Sequence, residues 1–568
     1  MVSLVTGPRP MIEPFLGAAI MLWLAIAAVM IMTLPPLPVD ETRYLTVAWE
    51  MKRSGQWLLP TLNGEPYSHK PPLLFWLINL AWGALGPEVW AARFVSLAAS
   101  ASVLMLTYRL GRQLMPEQPT APSLAVLLVL AGPAVFLYGA LIMFDQLLTV
   151  WVLLGLSALW QAAHKPSKGA WALGAFAIGM GLLTKGPVIL LYLAAPALLV
   201  TYWMAPEAKL SLKRWYGSLA IAVAIGALMV LAWAIPAAVI GGPEFARMIF
   251  WKQSAGRMVE SFHHRQPFWF YVPVLAVFLF PLFFWRPLWR RASKARHLPL
   301  PRPAKFLLCF LIPAFVAFSL ISGKQPHYML PLLPGIALFF ASLLEEADHR
   351  RGDAIVLCLP FSALFLILAF GPLAASWAGF DTETSYISEG LSQFSVGFSL
   401  LGAAVSMGIL LTVKKDLRWQ ALAMALSSAL LLGAVTVQCY RYVYRFYDLR
   451  PLAHALKPYT AGPLVFVNQY AGEIGYLARL ERPIEVVKAG QLKRWFAAHP
   501  DGTAVARTMT RDELKRYSVV HSQPYRTQRI FSIFRLTAGP NSPPAPADSG
   551  TAVEEPRQDR EDRPNGGP

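Results

Sequence analysis

Stretches of roughly 20 predominantly apolar residues recur along most of this chain, and a helix of that length crosses the ~30 Å hydrocarbon core of a bilayer. In hydrocarbon every backbone N–H and C=O must be satisfied within its own segment, so such stretches are constrained to be helices. Several soluble domains are excluded, because 56% of the 568 residues are hydrophobic and only 14% are charged. The reading is a polytopic α-helical membrane protein of about thirteen transmembrane helices. They are expected near 12–33, 88–108, 121–140, 143–162, 170–184, 187–204, 216–240, 268–285, 306–322, 328–344, 354–374, 395–413 and 419–438. The first apolar run is too long for a signal peptide and only Arg9 precedes it, so it is expected to stay as an anchor.

A formal charge of +18 would suggest nucleic acid in a soluble chain, but here the bases mark topology. With a cytoplasmic N-terminus they fall in alternate loops: Arg109 and Arg112, Lys165 and Lys168, Lys213 and Arg214, then a dense run from Arg286 to Lys305. Lys185 and Lys324 break this positive-inside pattern, each beside a Gly or Pro turn on the opposite face. Either lysine alone could simply snorkel to lipid phosphate. Cys309, Cys358 and Cys439 lie within or at the ends of apolar segments, which points to neither a disulfide framework nor a CxxC metal site.

Residues 1–439 therefore read as the membrane domain, with two long outside loops at 34–87 and 241–267. The first carries an amphipathic stretch, Glu41 to Leu59, and a proline-broken apolar segment, Pro71 to Leu85, expected to lie along the outer surface. Residues 440–537 carry short β-rich runs at 463–467, 484–487 and 529–536, with helical patterns at 491–498 and 511–517, and read as a small α/β domain. Residues 538–568 are rich in Pro, Gly, Ser and charge and are expected to be a disordered tail.

The polar groups that stand out share the outside face. Asp40 follows the first span directly, where an Asp is also a good helix cap. His69 and Lys70 precede a double proline that fixes the backbone. Asp145 occupies a short turn between spans, a costly place for an acid unless it has a partner or caps a helix. Three lysines (Lys70, Lys185, Lys324) and two aspartates on one face suit a lipid-borne phosphate: the cations neutralise a phosphate leaving group, and a carboxylate accepts a proton from an attacking hydroxyl. A transporter or flippase of lipid-linked sugars is the rival, but it calls for ionisable groups near mid-membrane rather than at one boundary.

The runs Asp40-Glu41-Thr42-Arg43-Tyr44, Leu62-Asn63-Gly64-Glu65-Pro66-Tyr67, Lys70-Pro71-Pro72-Leu73, Thr184-Lys185-Gly186-Pro187 and Gly323-Lys324-Gln325-Pro326-His327-Tyr328 resemble bacterial lipid-linked-sugar glycosyltransferases of the GT-C superfold. The family is that of the lipid A aminoarabinose transferase, related to protein O-mannosyltransferases. The resemblance implies a GT-C-like fold and inverting transfer from an undecaprenyl (polyprenyl) phosphate sugar to lipid A, another glycan or a protein, at the periplasmic face of the inner membrane. It implies Asp40 as acid–base residue and Asp145 as a second carboxylate, with Lys70, Arg43, Tyr67, Lys185, Lys324 and Tyr328 around the donor phosphate. The family usually has Glu where this chain has His69, and with His264 that residue leaves a divalent metal such as zinc an open expectation. No cofactor is otherwise implied, nor any nucleic acid partner.

Overall fold

The computed structural model describes residues 14–204, 211–250, 265–295, 299–344, 350, 352–377, 390–413, 416–507, 511–526 and 529–537. Its larger part is a helical bundle. The chain opens with α1 (Pro14–Thr33), α2 (Asp40–Ser54), α3 (Leu73–Leu85), α4 (Val89–Leu114), α5 (Ala121–Ala131) and α6 (Ala134–Gly139). Then follow α7 (Phe144–His164), α8 (Lys168–Lys185), α9 (Val188–Leu198), α10 (Val200–Trp203) and α11 (Leu212–Arg247). The later long helices are Arg302–Leu320, Leu332–Leu344, Cys358–Trp377, Val396–Thr412 and Leu417–Tyr442. Seven helical stretches among the described residues are long and apolar enough to cross a membrane by themselves. The protein is a multi-pass membrane protein.

Among the described residues helix occupies most of each expected span, but several spans are broken. The 121–140 segment divides into α5 and α6 around Gly132–Pro133, 187–204 divides after α9, which contains Pro196, and 268–285 stops as a helix at Phe278, ahead of Pro281. Proline lacks the N–H that would continue the ladder, so a hydropathy run can be continuous where the helix is not. Conversely, 216–240 extends to Leu212–Arg247, with a non-helical kink at Gly242 (φ 80°). Within the bundle α8 packs along α7 and α11, and α7 along α4.

The 34–87 loop forms two helices, α2 and α3, where the amphipathic and proline-broken stretches were expected. The amphipathic one, α2, ends at Ser54 rather than Leu59, because Gly55 takes a left-handed conformation (φ 68°) and reverses the chain. A short hairpin follows, β1 (Thr61–Leu62) and β2 (Glu65–Pro66), across an Asn63–Gly64 turn in which both residues have positive φ.

Residues 450–536 contain the α/β unit. Its five-stranded sheet uses β3 (Leu464–Val467), β4 (Glu485–Val487), β5 (Thr503–Ala506), β6 (Tyr517–Tyr525) and β7 (Arg529–Leu536) in the order β4-β3-β5-β7-β6. β3 is parallel to β4 and β5, whereas β7 is antiparallel to β5 and β6, with Phe466 opposite Val505 and Val505 opposite Ile533. Separate apolar clusters cover the two sheet faces, one around Phe466 and Phe531, the other around Trp495 and Phe534. Two strands went unforeseen. β5 is only Thr-Ala-Val-Ala, and β6 is a largely solvent-facing edge strand whose Pro524 is tolerated because an edge need not donate on both sides. The helix expected at 511–517 shrinks to Arg511–Leu514 as β6 begins. The expected tail, 538–568, lies outside the described residues.

Candidate functional site

The 34–87 loop is fastened to the bundle by an ion pair, Glu41–Arg93, that its sequence does not announce. Glu41 and Arg93 are both buried, and Arg93 donates to Glu41 from Nε (2.9 Å) and Nη2 (2.7 Å). The guanidinium also reaches the carbonyls of Ile31, Leu34 and Pro35, while the carboxylate accepts from the backbone N–H of Leu37 and of Ile142. One carboxylate thus joins the end of α1, the start of α2, α4 and the turn before α7. The pair sets the positions of both candidate acids, since Asp40 precedes Glu41 in α2 and Asp145 lies three residues beyond Ile142. Arg93 was hidden by its place inside an expected span, and a base at that depth in hydrocarbon was the signal that could have found it.

Asp40, the first residue of α2, is 60% exposed and lies 3.8 Å from Arg43. Arg43 in turn donates to the carbonyl of Ala471, in the loop after β3. Beneath them an aromatic cluster connects the loop to α7: Tyr44 meets Phe144 edge-on at 5.0 Å, Phe75 meets both, and Tyr67 lies against Phe75 and His69. The Lys70 ammonium lies 5.5 Å from the Phe144 ring centroid. Burial and the neighbouring Asp40 carboxylate hold the Tyr44 hydroxyl well above the ordinary phenol range.

Asp145 sits in the first turn of α7, where the helix dipole favours an anion. It is fully enclosed, 2.5 Å from Lys185 and 3.8 Å from His327 Nε2. Lys185 closes α8 just before Gly186 (φ 70°) and Pro187, and its ammonium stands 4.2 Å over the Tyr328 ring. Tyr192 fixes Tyr328 by donating to its carbonyl at 2.7 Å. Lys70 also acts electrostatically on Asp145, and Asp40 and Lys70 both act on His327. Asp40, Lys70, Asp145, Lys185 and Tyr328 therefore converge at one end of the bundle. His327 joins them. It was visible in the Gly-Lys-Gln-Pro-His-Tyr run but had been given no role.

Lys324 is placed differently. It is buried, and its ammonium donates to the carbonyls of Ile321 (2.6 Å) and Gln266 (2.9 Å). Those bonds tie the 321–325 turn to the strand-like bridge between Arg265 and Gly323, which accounts for a lysine here without a phosphate. His264 lies outside the described residues, and among the described residues no group of three His, Cys, Asp or Glu side chains is arranged to hold a metal ion.

A family model described as dolichyl-phosphate-mannose-protein mannosyltransferase matches residues 69–233, which include Lys70, Asp145 and Lys185. An undecaprenyl phosphate-alpha-4-amino-4-deoxy-L-arabinose arabinosyl transferase of Edwardsiella ictaluri is 28% identical over 512 residues, covering 82% of this chain and 88% of the relative. The Erwinia tasmaniensis protein of the same name is 30% identical over 416 residues, covering 70% and 72%. Among solved structures, ArnT from Cupriavidus metallidurans bound to undecaprenyl phosphate shares the fold, with a TM-score of 0.73 at 18% identity over 91% of this chain and 97% of that one. The flippase expectation is left without support, because these relatives are named as transferases. The resemblance read from the sequence holds, and the chain belongs to the GT-C family of undecaprenyl phosphate-aminoarabinose arabinosyl transferases.

Proposed function

We propose that this membrane glycosyltransferase moves a sugar from an undecaprenyl phosphate donor to an acceptor oxygen at the periplasmic face of a bacterial inner membrane. The names of its relatives specify an undecaprenyl phosphate-linked aminoarabinose as donor, and the acceptor is lipid A, another glycan or a protein. The observation that carries the reading is the convergence at one bundle end of a buried acid–lysine pair, Asp145–Lys185, with Lys70 and an exposed Asp40.

Transfer with inversion requires the acceptor oxygen to attack the anomeric carbon as its bond to the phosphate oxygen breaks. The bond pair leaves with the polyprenyl phosphate, and the charge that grows there is neutralised by Lys70 and Lys185, with Arg43 reaching the same region from α2. Asp40, exposed and therefore accessible to the acceptor, takes the proton of an attacking hydroxyl. For an acceptor that is already an ionised phosphate, Asp40 orients it instead. Asp145 holds the Lys185 ammonium over Tyr328, so that the cation is in place before the donor arrives. Tyr67 packs against His69, the chain neighbour of Lys70.

Purified Asp40→Asn should retain its fold and lose sugar transfer to a hydroxyl acceptor by about 10²–10⁴-fold, the usual worth of general base catalysis. Transfer at the wild-type rate would remove Asp40 from the reaction. Mass spectrometry of lipid A and surface glycans from cells with and without the protein identifies sugar and acceptor together.

A further inference from the structure

One short turn touches both members of the Asp145–Lys185 pair. The 3₁₀ turn Pro326–Met329 places the Tyr328 ring 4.2 Å from the Lys185 ammonium and brings His327 Nε2 to 3.8 Å from Asp145 Oδ2. The lysine is bonded to the other oxygen, Oδ1, at 2.5 Å. The turn is firmly held: Pro326 restricts its backbone, Tyr192 donates to the Tyr328 carbonyl, and just ahead of it the Lys324 ammonium is bound to the carbonyls of Ile321 and Gln266. Edge-on contacts with Tyr328 (5.0 Å) and Tyr138 (6.3 Å) set the plane of the imidazole.

Asp145 Oδ2 has no hydrogen bond among the described contacts, and at 3.8 Å the imidazole lies near it without being bonded. That is tolerable while Lys185 supplies the compensating charge on Oδ1. In the proposed reaction, however, the two lysines that act on Asp145, Lys185 and Lys70, both turn to the donor phosphate. The enclosed carboxylate then loses most of its compensation, a costly state for a buried charge. His327 is placed to prevent it. An approach of about 1 Å brings an Nε2–H within hydrogen-bond distance of Oδ2. The imidazole has the room to make it, with 16% of its side chain exposed against 3% for Asp145.

We propose that His327 is a positioning residue that donates to Asp145 as Lys185 turns to the donor phosphate, so that the buried carboxylate exchanges one partner for another. The assignment rests on the donor reading above. His327 makes no bond to the substrate; it stabilises the arrangement in which Lys185 does.

The test uses the full-length protein in nanodiscs with undecaprenyl phosphate as the probe, read as the melting shift that the lipid produces, beside KM and kcat for the sugar-linked donor. His327→Phe keeps the ring contacts and lacks the N–H. Without lipid it should melt close to wild type, because Lys185 holds the resting carboxylate, but it should bind the lipid about tenfold more weakly and raise donor KM to match, with a much smaller change in kcat. His327→Gln, which restores a donor at similar reach, should recover most of the loss. In an Asp145→Asn background no charge is left behind, so His327→Phe should weaken lipid binding no further. His327→Leu gives the same readout should His327→Phe fold poorly. Lipid binding at wild-type strength in His327→Phe, equal losses in the Phe and Gln variants, or an undiminished loss in the Asp145→Asn background would each overturn the proposal. A wild-type protein that neither binds undecaprenyl phosphate nor transfers from its sugar-linked form would overturn the donor reading instead, a separate result.

Discussion

Two buried ion pairs stand at the same end of the bundle, and they differ in how completely they are satisfied. In Glu41–Arg93 the carboxylate takes two guanidinium bonds and two backbone N–H groups, and the guanidinium reaches three carbonyls besides. In Asp145–Lys185 the described contacts are a single hydrogen bond at 2.5 Å, an imidazole 3.8 Å away and an aromatic face. Desolvating an ion pair is tolerable when every remaining donor and acceptor is matched, which is the case for the first pair and not for the second. The first is a fastener. The second leaves ammonium protons without a described acceptor, which suits the proposed donor phosphate.

Breaking the fastener should have the largest effect. Arg93→Ala leaves the Glu41 carboxylate buried among N–H groups with no cation, a situation that costs about 3–5 kcal/mol. The protein should show a large loss of thermal stability in detergent and little folded yield, and any activity lost should follow folded protein lost. A well-folded, inactive Arg93→Ala would sharpen the comparison in the other direction, making the pair part of the chemistry.

Asp145→Asn should do the reverse. The amide keeps the shape of the side chain and an acceptor for Lys185, so melting should shift much less than in Arg93→Ala, while turnover falls by roughly 10²-fold as the preorganised charge is lost. The measurement is kcat/KM on purified protein beside its melting curve. Equal loss of stability in the two variants would erase the distinction between fastener and site.

The same distinction explains what could be read from the amino acids alone. Spans were legible because hydropathy over 20 residues reports the bilayer directly. Asp40, Lys70, Asp145 and Lys185 were legible because ionisable groups at a membrane boundary stand out against their surroundings. Glu41 and Arg93 were as charged as these, yet Glu41 read only as the start of an amphipathic stretch and Arg93 vanished into an apolar segment. Their partnership spans 52 positions and is decided by tertiary packing. Lys324 shows the converse: it resembles Lys185 in sequence setting, but two backbone carbonyls claim its ammonium. His327 stands in the same run as Lys324, but only the fold brings it to Asp145. In the α/β unit, strands with strong apolar runs were found and the short β5 and polar edge β6 were not, since neither has the alternation that marks a half-buried strand.

Lys185→Met and Lys324→Met separate the two lysines. Lys324→Met removes a charged donor from two carbonyls and should lower stability by about 1–3 kcal/mol, with donor KM nearly unchanged. Lys185→Met should weaken use of the donor and slow transfer, and because it leaves the enclosed Asp145 carboxylate without its cation its loss of stability should be at least as large, so that donor KM is what separates the two. Parallel donor titrations and melting curves decide. A matching rise in donor KM for both variants would return Lys324 to the phosphate site.

The smallest effect is expected where the sheet unit meets the loop. Asn63 exchanges two hydrogen bonds with the backbone of Ile484, at 2.9 and 2.8 Å, while Glu50 accepts from the N–H groups of Asn63 and Gly64 and so fixes the turn from the other side. Asn63→Ala removes both links to Ile484 and places alanine in a left-handed conformation (φ 59°) that asparagine tolerates better. A loss of about 1–2 kcal/mol follows, confined to the contact because Glu50 still holds the turn. Hydrogen exchange should quicken around residues 480–487 with protection of α7 and α8 unchanged, and turnover should fall by less than about threefold, since Arg43 keeps its bond to Ala471. A collapse of activity from this distant change would mean that the sheet unit holds Asp40 and Arg43 in place through the hairpin. The fastening of the site would then lie as much in that contact as in Glu41 and Arg93.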